Sequence, residues 1–466
     1  MTRRALVLGL DCVPPKLAFE RFAEDMPHLR ALRARGLWGP LRSTIPPITL
    51  PAWVSMFSGK DPGELGIYGF RAKASGDYAL RVIDGRSFRH KRLWDRLGEA
   101  GKRVACVGVP LTWPPPPVRG TLLSCFLMPE GAEPWCFPAH RAAELHARFG
   151  PYRADVDRFG KRDREALLEE IHALSSQRFA IASHLWRHER PDFLAMVDIA
   201  PDRFHHLFWD CLDPEHPDFD PRHEEIGRRY YAHLDRLLGE LLDDLDAETL
   251  VMVVSDHGAQ PLLGGFAINE WLRREGYLVL RTPPQGPEAF DPAKVDWPKT
   301  KAWAEGGHYS RIFINLEGRE AQGCVAMRDY EGLRKELERA LEALPTPSGH
   351  PTQVLRPEDC FRECRDNPPD LMLFCGDMAW RCLGTLGLTT LWPEPRDCGP
   401  DRCNHAWEGI ACLAGPSIAP AQASELSLYD IAPTVAAHFG LESSTPWRGK
   451  SLQGPDRSGP LAQLSE

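Results

Sequence analysis

Thr249-Leu-Val-Met-Val-Val-Ser255-Asp256-His257-Gly258 is the stretch on which the reading of this chain turns. A short apolar run closed by turn residues is the pattern of a strand buried on both faces. It ends on a carboxylate and an imidazole side by side, which is half of a metal site. Taken alone, an ordinary polar turn at a strand end is the stronger reading, since four such residues recur by chance. Their company separates the two readings: Asp11 ends the apolar run 5–10, Asp202 and His206 stand four apart after the run 193–197, and His405 precedes the run 409–414.

Further strand patterns occur at 103–109, 311–316 and 370–374. Helical periodicity lies between them at 93–100, 140–149, 164–187, 224–245 and 330–344, as in Tyr231, Leu234, Leu237, Leu238 and Leu241. Alternating strands and helices imply an α/β layer architecture around a largely parallel sheet. Such sheets bind ligands at the carboxyl ends of their strands, and Asp11, Asp202 and Asp256 all follow strand ends. The proline-rich segment 113–117 and the Pro- and Gly-rich segment 282–297 read as excursions from the sheet. One domain is expected over 1–466, with an insertion or cap at 110–190 and a smaller lobe at 259–400 between metal-ligand segments.

Hydrophobic residues make up 43% and charged residues 26% of the 466, the balance of a soluble globular protein. A net charge of -9 argues against a broad nucleic-acid surface, although a pocket made cationic by metal ions would not show in that sum. No run is long enough to span a membrane. The start, Met1-Thr-Arg-Arg-Ala-Leu-Val-Leu-Gly-Leu-Asp11, has too short an apolar stretch for a signal sequence and reads as a first strand. The 13 cysteines are odd in number and scattered, Cys12, Cys106, Cys125 and Cys375 in apolar settings, which fits free thiols in a reducing cytoplasm. Neither Cys360 with Cys364 nor Cys398 with Cys403 has the two-residue gap usual in structural zinc sites, and no matching pair completes a set of ligands.

A candidate nucleophile lies in Ser43-Thr-Ile-Pro-Pro-Ile-Thr49-Leu-Pro51-Ala-Trp-Val-Ser55-Met-Phe-Ser58-Gly59. Thr49 stands at a helix start, with Pro51 in the first turn and Gly59 near the far end. A hydroxyl there sees free N–H groups and the positive end of the helix dipole, a setting that favours a phosphoryl or sulfuryl group. On this segment alone, simple capping of the helix by Thr49 is the stronger reading. Ser43, Thr44, Ser55 and Ser58 are rival hydroxyls, less well placed.

Together, Gly9-Leu10-Asp11, the Thr49 to Gly59 segment, Pro62-Gly63-Glu-Leu-Gly66-Ile67, Asp202-Arg-Phe-His-His206, Ser255-Asp-His-Gly258 and His405 before Trp407-Glu-Gly409-Ile410 resemble the alkaline phosphatase superfamily. The resemblance is to its type I phosphodiesterase and nucleotide pyrophosphatase-like branch, and Leu428-Tyr-Asp-Ile-Ala-Pro-Thr-Val435 with Gly449-Lys-Ser-Leu452 continues it. It implies a three-layer sandwich and two divalent metal ions, zinc first and manganese second. Asp202, His206 and His405 would hold one ion, and Asp11, Asp256, His257 and the Thr49 oxygen the other. His and carboxylate donors suit zinc, and Asp-x-x-x-His puts both side chains on one helix face. His205 competes with His206 for the ligand role, or would orient it.

The implied chemistry is hydrolysis of a phosphoric ester through a phospho-threonine, with a phosphonate hydrolase or a phosphoryl transferase or mutase as alternatives. Two departures bear on the substrate. Phe70 stands where the family often has an asparagine that donates to the phosphoryl oxygen, and Leu65 where it often has a histidine. Arg71, Lys73 or the segment Lys299-Thr-Lys301-Ala-Trp303 would have to supply the missing donor, so Phe70, Arg71 and Lys301 are the substrate-contact candidates. Thr49-Leu-Pro51-Ala-Trp53 lacks the first residue and the arginine of the sulfatase motif. A small phosphorylated or phosphonate substrate is expected, and neither a nucleic-acid polymer nor a membrane.

Overall fold

Strand Arg4–Leu10 lies between Phe193–Asp198 and Thr249–Val254 and runs parallel to both. The computed structural model describes residues 3–157, 163–441 and 446–454. Its central sheet has ten strands, in the order Ala421–Gln422, Leu37–Arg42, Glu408–Ala414, Thr249–Val254, Arg4–Leu10, Phe193–Asp198, Val104–Val107, Gly120–Leu123 and Cys136–Phe137, with Leu426–Ser427 also paired to Leu37–Arg42. The middle is parallel. Glu408–Ala414 runs antiparallel to both its neighbours, and Cys136–Phe137 closes the far edge antiparallel.

Alternation along the central strand divides its side chains between two cores. Leu6, Leu8 and Leu10 pack under helices Pro27–Ala34, Arg164–His188 and Glu224–Leu242. Ala5 and Val7 pack under Thr49–Ser58, Leu93–Glu99 and Ile431–His438. The result is a three-layer α/β sandwich in which burial on both faces makes the middle strands continuous apolar runs. Leu10 is in register with Asp198 and Gly9 with Val254. The segments carrying Asp11, Asp202 and Asp256 therefore leave the sheet at one edge.

Residues 110–190 do not stand apart as a cap. They supply the edge strands Gly120–Leu123 and Cys136–Phe137 and the long helix Arg164–His188; positions 158–162 of this stretch lie outside the described residues. Between 259 and 400 a second, antiparallel sheet forms from Ala302–Glu305, Ser310–Ile314, Leu371–Phe374 and Gln353–Leu355. It shares a core with helices Ile268–Arg274 and Met327–Glu342 through Trp271, Trp303, Phe313 and Leu337. The strand patterns at 311–316 and 370–374 belong to this sheet and not to the central one, because an apolar run reports burial and not its pairing partner.

Candidate metal centre

Asp11, Asp256 and His257 converge at the carboxyl edge of the sheet, and Cys12, Asp202, His206 and His405 form a second cluster there; within each cluster the potential ligand atoms lie within 4.8 Å of one another. All seven residues are buried. Gly9 makes part of this possible. A Cβ at that position would stand 2.3 Å from the Trp53 ring, and without one Trp53 reaches Asp11 Oδ2 and donates from Nε1 at 2.7 Å. Asp256 Oδ1 accepts from the Cys12 N–H at 3.3 Å.

Asp202 and His206 lie on helix Ala200–Phe208, four residues apart and so on one face. His205 is turned about 100° away. Its Nε2 pairs with the Tyr231 hydroxyl at 2.9 Å, so it belongs to the core behind the centre and to neither cluster. His405 arrives on strand Cys403–Ala406, which pairs antiparallel with Gly258–Pro261 directly after His257. This ribbon stacks the His257 and His405 rings with centroids 3.7 Å apart.

Thr49 is the first residue of helix Thr49–Ser58; Ile48 is the N-cap, and no side chain caps the helix. The capping reading of Thr49 is thereby corrected. Its Oγ1 instead lies 3.2 Å from His257 Nε2.

The ligand spacings allow a test of whether divalent ions fit. In one cluster His206 Nε2 is 3.3 Å from His405 Nε2 and 3.4 Å from Asp202 Oδ1, and His405 Nε2 is 3.7 Å from that oxygen. In the other, His257 Nε2 is 3.2 Å from Asp256 Oδ2 and 3.6 Å from Asp11 Oδ1. Zinc with bonds of about 2.0–2.1 Å places tetrahedral ligand atoms about 3.3 Å apart. Asp11 Oδ1, Asp202 Oδ1 and Asp256 Oδ2 are buried and accept no hydrogen bond of good geometry. Buried carboxylate oxygens without partners are costly, and a cation would satisfy them. The His257 Nδ1–H donates to the Gly258 carbonyl and the His405 Nδ1–H to the Pro47 carbonyl, each at 3.0 Å, which leaves both Nε2 lone pairs facing the clusters.

Electrostatics agree with this arrangement. Burial, and then the charge of Asp202, raises the Asp11 carboxyl well above the usual range, and burial, then the charges of Asp11 and Asp202, raises that of Asp256 likewise. Burial pushes His257 down to about 4 and His405 well below its ordinary value, keeping both rings neutral. At Asp202 burial would raise the carboxyl but His206 outweighs it and holds it low, while His206 is pushed up to about 10 against burial, with Cys403 and Asp202 beside it.

A cavity of about 360 Å³ opens over the centre, lined by Thr49, Phe70, Arg203, His308, Arg381 and Asp401 among others. Arg203 donates to Asp202 Oδ2 at 2.6 Å and to both oxygens of Asp155 at 2.9 and 2.7 Å. His308 stacks on His405 at 3.8 Å and pairs with Asn404 at 2.6 Å. Arg381 pairs with Asp401, whose Oδ1 is 3.3 Å from His206 Nδ1. A second cavity of about 510 Å³ shares Arg381 and Cys398 with the first and is walled by Arg71, Tyr78, Phe290 and Trp303.

Of the expected substrate contacts, Phe70 lines the first cavity and Arg71 the second. Lys301 is exposed and lines neither. Lys73 is buried against Glu320 at 2.7 Å, and Lys299 pairs with Asp296. His308, Arg381 and Trp53 carried no legible signal in the sequence, since each reaches the centre through a contact distant in sequence, and Arg203 next to Asp202 reads as an ordinary helix residue until its contacts are seen. Among the described residues, neither Cys360 with Cys364 nor Cys398 with Cys403 joins a ligand cluster. No helix among them is long and apolar enough to cross a membrane.

Comparison with known proteins places this geometry. The model of the type I phosphodiesterase / nucleotide pyrophosphatase family matches residues 5–401. No curated protein matches the sequence significantly. Human ectonucleotide pyrophosphatase / phosphodiesterase 5 is similar in structure, with a TM-score of 0.59 at 13% identity over 96% of this chain and 97% of that one. An inactive variant of the murine protein in complex with AMP gives 0.60 at 12% identity over 96% and 97%. Phosphonoacetate hydrolase from Sinorhizobium meliloti, in complex with phosphonoformate, gives 0.56 at 18% identity over 92% and 94%. At these identities the likeness is one of fold, and the family model carries the assignment: the chain belongs to the type I phosphodiesterase / nucleotide pyrophosphatase family, and it is a phosphoester-hydrolysing enzyme.

Proposed function

We propose that the protein hydrolyses a phosphodiester bearing a bulky organic group, through a phospho-threonine on Thr49. The observation that carries this reading is the meeting of the Thr49 hydroxyl with two ligand clusters whose buried carboxylate oxygens lack partners. Zinc, with manganese as second choice, would be held by Asp202, His206 and His405 and by Asp11, Asp256, His257 and Thr49; when bound, the two ions supply Lewis-acid charge to the phosphoryl oxygens.

The chain's own residues supply the rest. Thr49 Oγ1 attacks phosphorus, the bond to the ester oxygen breaks, and that oxygen leaves with a proton. Water then takes the phosphoryl group from Oγ1 and restores the hydroxyl. Arg203, His308 and Arg381 line the cavity as donors where the family's asparagine is replaced by Phe70. An in-line displacement sends the leaving group away from Thr49, into the cavity that His206, Asp401 and Arg381 also line. Beyond Arg381 the second cavity offers Phe290, Tyr78 and Trp303 as an aromatic wall, with Arg71 at its rim. That extra room favours a diester over a monoester. Thirteen cysteines without a disulfide support a reducing compartment such as the cytoplasm.

Turnover of bis-p-nitrophenyl phosphate, p-nitrophenyl phosphate and phosphonoacetate with zinc and with manganese tests the reading. The diester is expected to be the fastest. Phosphonoacetate as the best substrate would select the phosphonate hydrolase alternative, and transfer to added alcohol without phosphate release would select the transferase. Phe290→Ala should raise KM for the diester roughly fivefold to tenfold, the weight of one aromatic contact, while the inhibition constant of inorganic phosphate, which fills only the centre, stays within about twofold.

A further inference from the structure

Cys12 follows the ligand Asp11 directly and holds a left-handed backbone conformation, φ 67°. Side chains with a Cβ avoid that region, and residues found there often stand at functional sites. The neighbours enforce it: the Cys12 N–H is bound to Asp256 Oδ1 at 3.3 Å and the Val13 N–H to Ser255 Oγ at 2.8 Å. Glycine would sit there without strain. The chain instead carries a thiol, fully buried, whose Sγ lies within 4.8 Å of the ligand atoms of Asp202, His206 and His405. The thiol donates to the Gly258 carbonyl at 3.5 Å, a weak contact for sulfur.

We infer that Cys12 is a protein ligand of the ion held by Asp202, His206 and His405, which makes this a centre with one sulfur donor. The inference rests on the two-metal reading above and adds a residue to it. Two observations support it besides proximity. Asp202 Oδ1, in the same cluster, is buried without a hydrogen bond of good geometry, so the space between these four residues is built for a cation. Cys12 does not line the cavity, whereas Asp202, His206 and His405 do. The sulfur therefore approaches from the floor and leaves the cavity side open for a phosphoryl oxygen, as a catalytic site requires. Binding releases the thiol proton to solvent. A thiolate donor biases the site toward zinc over manganese.

Cobalt(II) loading of the full chain tests this, with a thiolate-to-cobalt charge-transfer band in the near ultraviolet as the readout. The unaltered protein should show the band. Cys12→Gly should lose it while still binding cobalt at the Asp11, Asp256 and His257 site, and Cys403→Ser, which alters the other thiol beside His206, should keep it. Zinc affinity of Cys12→Gly should fall at least tenfold, since even groups that only orient a ligand cost that much. The metal-free variant should melt no lower than the metal-free unaltered protein, because glycine relieves the backbone strain. A band that persists in Cys12→Gly, a band lost in Cys403→Ser instead, or unchanged zinc affinity would overturn the assignment. Cobalt bound without any thiolate band would defeat Cys12 alone, whereas failure to bind cobalt or zinc at all would defeat the two-metal reading beneath it.

Discussion

Thr49→Ala removes on the order of 10⁴-fold or more of the turnover while the fold stays intact. A methyl cannot attack phosphorus, and the rival hydroxyls Ser55 and Ser58 lie within the same buried helix, outside the lining of the cavity. The stability cost should be below about 1 kcal/mol, the usual loss at a capping residue, because Ile48 is the N-cap and the Thr49 hydroxyl makes no capping bond. Thr49→Ser should keep measurable turnover. The measurement is kcat on the diester beside thermal melting and metal content for each variant. Near-native turnover in Thr49→Ala with metals still bound would falsify the phospho-threonine and leave direct attack by water.

His405→Ala should lower metal content and reduce turnover on the order of 10³-fold or more, since it deletes a donor whose ring also packs against His257 and His308. Elemental analysis on the purified variant and the native chain reads the first effect. Chelation of the native protein should lower its melting point, because an ion present at a thousand times its dissociation constant contributes about 4 kcal/mol. This stabilisation has a definite pH sign. The Asp11 and Asp256 carboxyls titrate above their unfolded values in the metal-free fold. As pH rises from the unfolded carboxyl range toward those raised values, the metal-free fold binds more protons than the unfolded chain and loses stability. Metal binding needs both groups ionised, so the gap between loaded and chelated protein should widen as pH rises from 5 to 7. A melting point unchanged by chelation at pH 7 would count against the centre.

Much of the catalytic edge is visible in local pattern. Apolar runs closed by Asp11 and by Asp256-His257 report strands whose buried faces force their polar ends to the sheet's rim, and Asp202 with His206 reports a helix face through its four-residue spacing. The fold class follows from the same alternation of strand and helix. Other features are invisible at that range. The choice between His205 and His206 depends on which side of one helix meets the Tyr231 hydroxyl, and Thr49 as cap or nucleophile depends on where the helix begins. The strands near 311–316 and 370–374 pair in a separate antiparallel sheet because hydrophobicity specifies burial but not partner.

The linear sequence by itself determined the strand ends and the types and order of the candidate ligands along the chain, because period-two and period-3.6 burial and donor chemistry are local properties. Only the tertiary structure decided that His405 stacks on His257, that Arg203, His308 and Arg381 wall the cavity, that Lys301 does not, and that the Cys12 thiol faces the centre. Those placements arise from packing between segments distant in sequence, whose geometry is settled when buried surfaces and unsatisfied polar atoms are matched across the whole core.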